Sequence, residues 1–272
     1  MTKRHLVSKS FIAGDIDLAE DYEFIPASGS EEHVIITIHG IRTIGSWADD
    51  FIANNPLRGI VRIDKISIGW VDIVTFLFWN CRSIFQRAAQ DLDYIIKENP
   101  DKKISVICHS FGTKVLSKII NGIDCKFHHV YFIGGVANKD DYISVAKKAS
   151  CFVNDCGRRD YWPCVAHFIR PKKYEAIGYY GTQPVGVNRD FDSDHSEYAS
   201  ASHINSNIIP SIIDARNGVY RPRYNFVRTI PTYCYNGFLR IGIIAMLFLF
   251  LSILLFGIYC VFNISCSYLF GV

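Results

Sequence analysis

Charge is missing from the end of this chain. All 29 Lys and Arg and all 26 Asp and Glu lie at or before Arg240, and Ile241 to Val272 carries none. With only 19 Gly and 9 Pro in 272 residues, collagen-like and low-complexity chains are excluded. A hydrophobic share of 49% and an aromatic share of 14% exclude a disordered chain. The net charge is +3 and no basic stripe interleaves with aromatics, so no nucleic-acid partner is expected. Met1 to Glu20 lacks the roughly 7–15-residue apolar core of a signal peptide. Reduced thiols are therefore expected for the 9 cysteines. Cys151, Cys156 and Cys164 form a local group, but the tight pairs of a zinc site are lacking. No glycine-rich phosphate loop or dinucleotide fingerprint occurs, so neither cofactor nor metal is expected.

What the uncharged end does contain is a span. Ile241 to Phe262 reads IGIIAMLFLFLSILLFGIYCVF, about the length that crosses a bilayer core, with no polar face. Arg221, Arg223, Arg228 and Arg240 precede it, and Tyr233 and Tyr235 stand near the entry. Basic residues stay on the cytoplasmic side and aromatics sit at the interface. The expectation is a single-pass membrane protein with its N-terminal domain cytoplasmic. The organisation follows: a folded domain over 1–215, a linker over 216–240, a transmembrane helix over 241–262 and a short tail over 263–272.

The folded domain alternates short apolar runs with helical ones. Strands are expected at His33–Ile38, Val61–Ile68, Ile104–Cys108, Val130–Ile133, Cys151–Val153 and Ala166–Ile169. Helices are expected at Val71–Glu98, Phe111–Ile120 and Ser202–Asp214. This alternation predicts an α/β fold, a mostly parallel sheet with helices on both faces.

One segment carries chemistry. Ile104 to Thr113 reads ISVICHSFGT, a buried strand running into Ser110 and then a helix. A sharp strand–turn–helix lifts a serine hydroxyl off the strand end, and small flanking residues let strand and helix pack closely. Cys108 stands where the G-x-S-x-G elbow has its first glycine.

HGIRTIGSW at 39–47, IGW at 68–70 and ICHSFGT at 107–113 together resemble the α/β-hydrolase superfamily, in particular its lipase- and esterase-like serine hydrolases. The resemblance covers roughly residues 30–215. It implies an oxyanion hole made by the backbone N–H groups of Ile41, in the His39-Gly40 loop, and of Phe111, after the serine. It also implies a Ser–acid–His triad in that chain order. Arg42 is read as a solvated surface charge.

For the acid, CFVNDCGRRDYWP at 151–163 offers Asp155 and Asp160; Asp160, further past the strand and before a proline, fits better. For the base, His195 lies in a polar loop, FDSDHSEYAS, where a catalytic histidine belongs, and His203 stands second. His167 is read as a strand histidine. His109 is read as part of the turn, and Asp140 and Asp141 as loop carboxylates.

The function implied is a membrane-anchored serine hydrolase acting on carboxylic esters, with an ester or lipid as substrate. Tethering gives lipid esters a high effective concentration. Two alternatives stay open: a thioesterase or acyltransferase using the same triad, and an inactive interaction module on a hydrolase fold. Tyr174 to Asn188, rich in Gly and Tyr, is a candidate flap over the site.

Overall fold

A computed structural model describes residues 33–41, 45–54, 61–69, 71, 73–78, 81–183, 185–213 and 246–259. Among the described residues six strands form one sheet: β1 (His33–Ile38), β2 (Val61–Ile66), β3 (Lys103–His109), β4 (Phe127–Ile133), β5 (Ala149–Gly157) and β6 (Val187–Phe191). Their order is β2-β1-β3-β4-β5-β6, and every neighbouring pair is parallel. The near-continuous apolar runs of β1, β3 and β4 reflect burial on both faces of a parallel sheet.

Alternate residues divide between two cores. Val34, Ile36, Ile38, Val106, Cys108, Val130 and Phe132 face one, and Ile35, Ile107, Tyr131, Ile133 and Val153 face the other. Each fully buried Ile, Leu or Phe contributes about 1.5–3 kcal/mol over leaving it exposed. The first core is covered by α2 (Ile73–Phe78), α3 (Arg82–Lys97), α4 (Phe111–Ile119) and α5 (Lys139–Lys148). The second is covered by α1 (Ser46–Ala53) and by a late helical run.

Several expected boundaries shift. The long helix expected over Val71–Glu98 is two helices, with a break at Cys81 (ψ 32°). The break lets α2 bury Phe76 against Phe111 and Tyr174, while α3 buries Ala88, Leu92 and Ile95 along one face. Ala166–Ile169 is not a strand but the end of α6 (Trp162–Ile169), so His167 is helical. Pro163 lies in the first turn of α6, where its fixed φ suits a helix. Asp140 and Asp141 belong to the first turn of α5, where acids complement the helix dipole. Both ends of the Tyr174–Asn188 stretch are packed into the domain. It holds α7 (Ile177–Tyr180), Tyr174 is fully buried with its hydroxyl on the Phe76 carbonyl, and Asn188 is buried against Asn154 and Thr182.

The late helical run is not one α-helix. It comprises α8 (Ala201–His203), a π-helix (Ile204–Ile208) and α9 (Ile209–Ile213), and it buries Ile204, Ile208 and Ile212. The expected linker lies outside the described residues, as do the tail and the ends of the expected span. Within that span, 246–259 is helical with every side chain exposed. Among the described residues no helix is long and apolar enough to cross a membrane.

The chain passes from β1 to β2 on one side and returns to β3 on the other. In an open parallel sheet such a reversal leaves a crevice at the carboxyl ends of the two strands, where ligands bind. The loops leaving β1 and β3 begin at His39 and Ser110.

Candidate active site

Ser110 sits between β3 and α4 with φ 53° and ψ −120°. It is the one non-glycine residue with positive φ among the described residues. Such a conformation is sparsely populated, and surrounding bonds must hold it. The Ser110 amide donates to the Ile133 carbonyl (2.8 Å). The Ser110 carbonyl accepts from the amide (3.1 Å) and the hydroxyl (2.6 Å) of Thr113. The Thr113 hydroxyl in turn accepts from the Val136 amide (3.0 Å), tying the turn to the end of β4.

Close packing explains the small residues around the serine. A Cβ on Gly112 would lie 2.3 Å from the Ile38 carbonyl oxygen, so α4 starts directly on the end of β1. A Cβ on Gly40 would lie 2.7 Å from the Ser110 Cβ, which sets the His39-Gly40 loop against the serine. Cys108 is fully buried within the first core, with Ile38 and Phe132 as its register partners, and burial pushes its thiol pKa up. It serves as core packing two residues before the turn.

His39 fixes the first loop. Its Nδ1 donates to the Gly40 carbonyl (2.8 Å), leaving Nε2 to accept the Ile68 amide (3.2 Å). Burial lowers its pKa and favours the neutral ring these two bonds require. Ile41 follows in the turn, while Arg42 lies outside the described residues. Phe111 is the first residue of α4, where a backbone N–H has no acceptor within its own helix.

The three side chains expected as a triad meet. His195 Nε2 lies 2.9 Å from the Ser110 hydroxyl, and His195 Nδ1 lies 2.9 Å from Asp160 Oδ2. Asp160 is fully buried. Its Oδ2 also accepts from the Tyr198 hydroxyl, and its Oδ1 accepts the Trp162 amide (3.2 Å). Burial and the neighbouring carboxylate push the Tyr198 hydroxyl pKa well up, so Tyr198 stays a donor. Gly134 completes the packing. With φ 58°, its missing Cβ would fall 3.0 Å from Asp160 Oδ2 and 3.1 Å from His195 Cε1.

His109 has a larger part than a turn residue. Its Nε2 donates to the backbone carbonyl of His195 (2.8 Å), and the two rings lie 4.8 Å apart. Burial, with His195 beside it, lowers its pKa to about 3, so the ring is neutral. Facing a carbonyl oxygen, Nε2 must carry the proton.

The two alternative residues form a different cluster. Asp155 takes a two-pronged bond from Arg189 (2.6 Å and 2.6 Å) and lies 3.1 Å from His203 Nε2. Burial pushes the Asp155 carboxyl up, but Arg189 and His203 outweigh it and hold the pKa below the ordinary value. Arg189 also donates to the Asn207 carbonyl (2.6 Å) and stacks over Tyr131 and Phe191. This network pins the π-helix to β5 and β6. The patterns overlooked it because β6, VNRDF, has no apolar run to announce a strand. Tyr198 was overlooked too; its position three residues after His195 is the available signal.

Among the described residues no group of three or more His, Cys, Asp or Glu could hold a metal ion. What the site can do is acyl transfer. A hydroxyl meets an imidazole, the imidazole meets a buried carboxylate, and the hydroxyl stands at the start of α4 against the His39-Gly40 loop. A parallel sheet with a strained serine after β3, an acid after β5 and a histidine after β6 defines an α/β-hydrolase fold.

No family model and no curated protein matches the chain. Solved structures do show likeness. MenH from S. aureus is 10% identical, with 70% of this chain and 96% of that one covered at a TM-score of 0.46. The esterase domain of a Rhodothermus marinus protein is 9% identical, with 72% and 91% covered at a TM-score of 0.41. The thioesterase domain from the curacin biosynthetic pathway is 11% identical, with 66% and 91% covered at a TM-score of 0.41.

Proposed function

We propose that the protein is a serine hydrolase of carboxylic esters, with Ser110 as nucleophile, His195 as general base and acid, and Asp160 as the group that orients His195. The observation that carries this reading is the unbroken hydrogen-bonded chain from Ser110 through His195 to Asp160. An interaction module would have no need of a strained serine aligned on a histidine and a buried carboxylate.

The reaction follows from the geometry. His195 Nε2 accepts the Ser110 proton as the hydroxyl oxygen attacks the ester carbonyl carbon. The carbonyl oxygen becomes negative and is held by the amides of Phe111 and Ile41. The bond to the alcohol oxygen breaks, and that oxygen takes the proton from His195. Water then gives its proton to His195 and attacks the acyl-serine, releasing the acid and restoring Ser110. Asp160 stabilises the imidazolium throughout, and Tyr198 and the Trp162 amide hold Asp160 in place.

The chain is also proposed to sit in a membrane as a single pass over 241–262, with the domain on the cytoplasmic side. The uncharged sequence of that segment and the arginines before it support this. A membrane position favours lipid or acyl esters. The test is ester turnover by the full chain beside Ser110→Ala and Asp160→Asn. Ser110→Ala is expected to abolish turnover. Asp160→Asn is expected to lower kcat by about 10⁴, as the loss of tautomer control does in such triads. Unchanged turnover in Ser110→Ala would contradict the proposal.

A further inference from the structure

A second feature lies against His195. A hollow of about 320 Å³ is lined by Arg159, Tyr161, Trp162, Val165 and the His195 loop. Tyr161, Trp162 and Val165 are 61%, 56% and 43% exposed at the start of α6. Large apolar side chains grouped in this way mark a binding surface more often than isolated ones do. Tyr179 extends the group, with its ring 5.7 Å from that of Tyr161. We infer that this hollow receives the alcohol portion of the ester, and that the portion is neutral and apolar, an arylmethyl or long alkyl group.

The argument rests on the hydrolase reading above and on which proton goes where. In the step that breaks the ester, His195 Nε2 gives its proton to the departing alcohol oxygen, so the alcohol must lie on the histidine side of Ser110. The hollow has His195 itself in its wall. Its chemistry then selects. Arg159 is matched by Glu197 (2.7 Å) and Asp192 (3.4 Å). Asp194, at the rim, is held as a carboxylate by the Ser196 and Glu197 amides (2.9 Å and 3.0 Å). A phosphate-bearing alcohol would meet Asp194, whereas an apolar one covers Trp162, Tyr161 and Val165 and removes their surface from water.

The test compares benzyl and ethyl esters of one short acid, dissolved in water, with the full chain in detergent. The two alcohols differ little in basicity, so the ratio of kcat/KM reads recognition. The expected preference for benzyl is at least about tenfold, in the range a hydrophobic pocket supplies. Trp162→Ala and Val165→Asp are each expected to bring the ratio within about threefold of unity. Tyr94→Ala, at an exposed position on α3, should leave it unchanged. A wild-type ratio near one, or a ratio that Trp162→Ala leaves intact, overturns the inference. So does a loss confined to esters presented in phosphatidylcholine vesicles, which assigns the aromatic rim to the bilayer. Reaction of Ser110 with a fluorophosphonate separates the two failures. A labelled serine without benzyl preference sinks the hollow alone, and an unlabelled one sinks the hydrolase reading and this inference with it.

Discussion

The side chain of His109 holds the backbone of His195. Its Nε2 donates to the His195 carbonyl at 2.8 Å, across 86 residues of sequence. The residue before Ser110 thus positions the loop that carries His195. The turn that strains Ser110 and the loop that delivers its imidazole are joined by one neutral ring.

His109→Leu is therefore expected to lower kcat by about 10–100-fold with KM little changed, since a misplacement of about 1 Å costs rates of that order. His109→Gln keeps an N–H donor and should recover most of the loss. Steady-state kinetics on the pair checks this. Equal losses in both variants would mean that bulk, and not the bond to His195, is what matters.

Gly134 predicts a purely steric defect. Its Cα position and φ of 58° leave a Cβ 2.8 Å from the Tyr198 hydroxyl and 3.0 Å from Asp160 Oδ2. Gly134→Ala should displace Asp160 and cut kcat at least about 100-fold, again by misplacement of the reacting groups. Circular dichroism should show the fold retained. Full activity in that variant would be inconsistent with the packing described.

The Asp155–Arg189 pair predicts a stability effect without a catalytic one of the same size. Removing one partner of a buried ion pair costs about 3–5 kcal/mol. Asp155→Ala should lose that much in urea denaturation. Because the folded pKa of Asp155 lies below its ordinary 3.8, the stability it contributes is present above that value and lost as pH falls through the folded pKa. The wild type should thus lose more stability than Asp155→Ala when pH drops below about 4.

Buried histidines predict a second acid effect, with its onset at higher pH. His33 and His109 are lowered to about 3, and His129 to about 4, by burial and then by neighbouring histidines, from an ordinary value of 6.5. As pH falls through 6.5 the unfolded rings take up protons while the folded ones stay neutral until about 4 to 3. Stability is full above 6.5 and declines below it, by at most about 1.4 kcal/mol per pH unit for each histidine. Urea midpoints at pH 7.5 and pH 5 check this, and His129→Gln should narrow the difference while His33 and His109 keep the remainder. Equal midpoints for the wild type would contradict it.

Part of this was legible in the sequence. The sharp turn at Ser110 was readable because strand, turn and helix leave local patterns, and the place of His195 in a polar loop was readable from its neighbours. Asp155 and Asp160 were ranked but not separable in principle. Both are fully buried, and what divides them is Arg189, 34 residues from Asp155 on a strand without an apolar run. His203 was ambiguous for the same reason, since Asp155 claims it. The apolar run at Ala166–Ile169 was misread because so short a run fits strand and helix alike, and Pro163 was the overlooked cue for helix. The roles of His109 and Tyr198 depend on contacts between distant loops, which no periodicity reports.

The measurement that bears most directly on the central claim is mass spectrometry of the full chain after exposure to a fluorophosphonate, beside Ser110→Ala and His195→Ala. A phosphonyl adduct on Ser110, absent in Ser110→Ala and formed at least about 10³-fold more slowly in His195→Ala, is what an activated triad predicts. A folded wild-type chain that takes up no adduct, or one modified at a serine other than Ser110, would contradict the account.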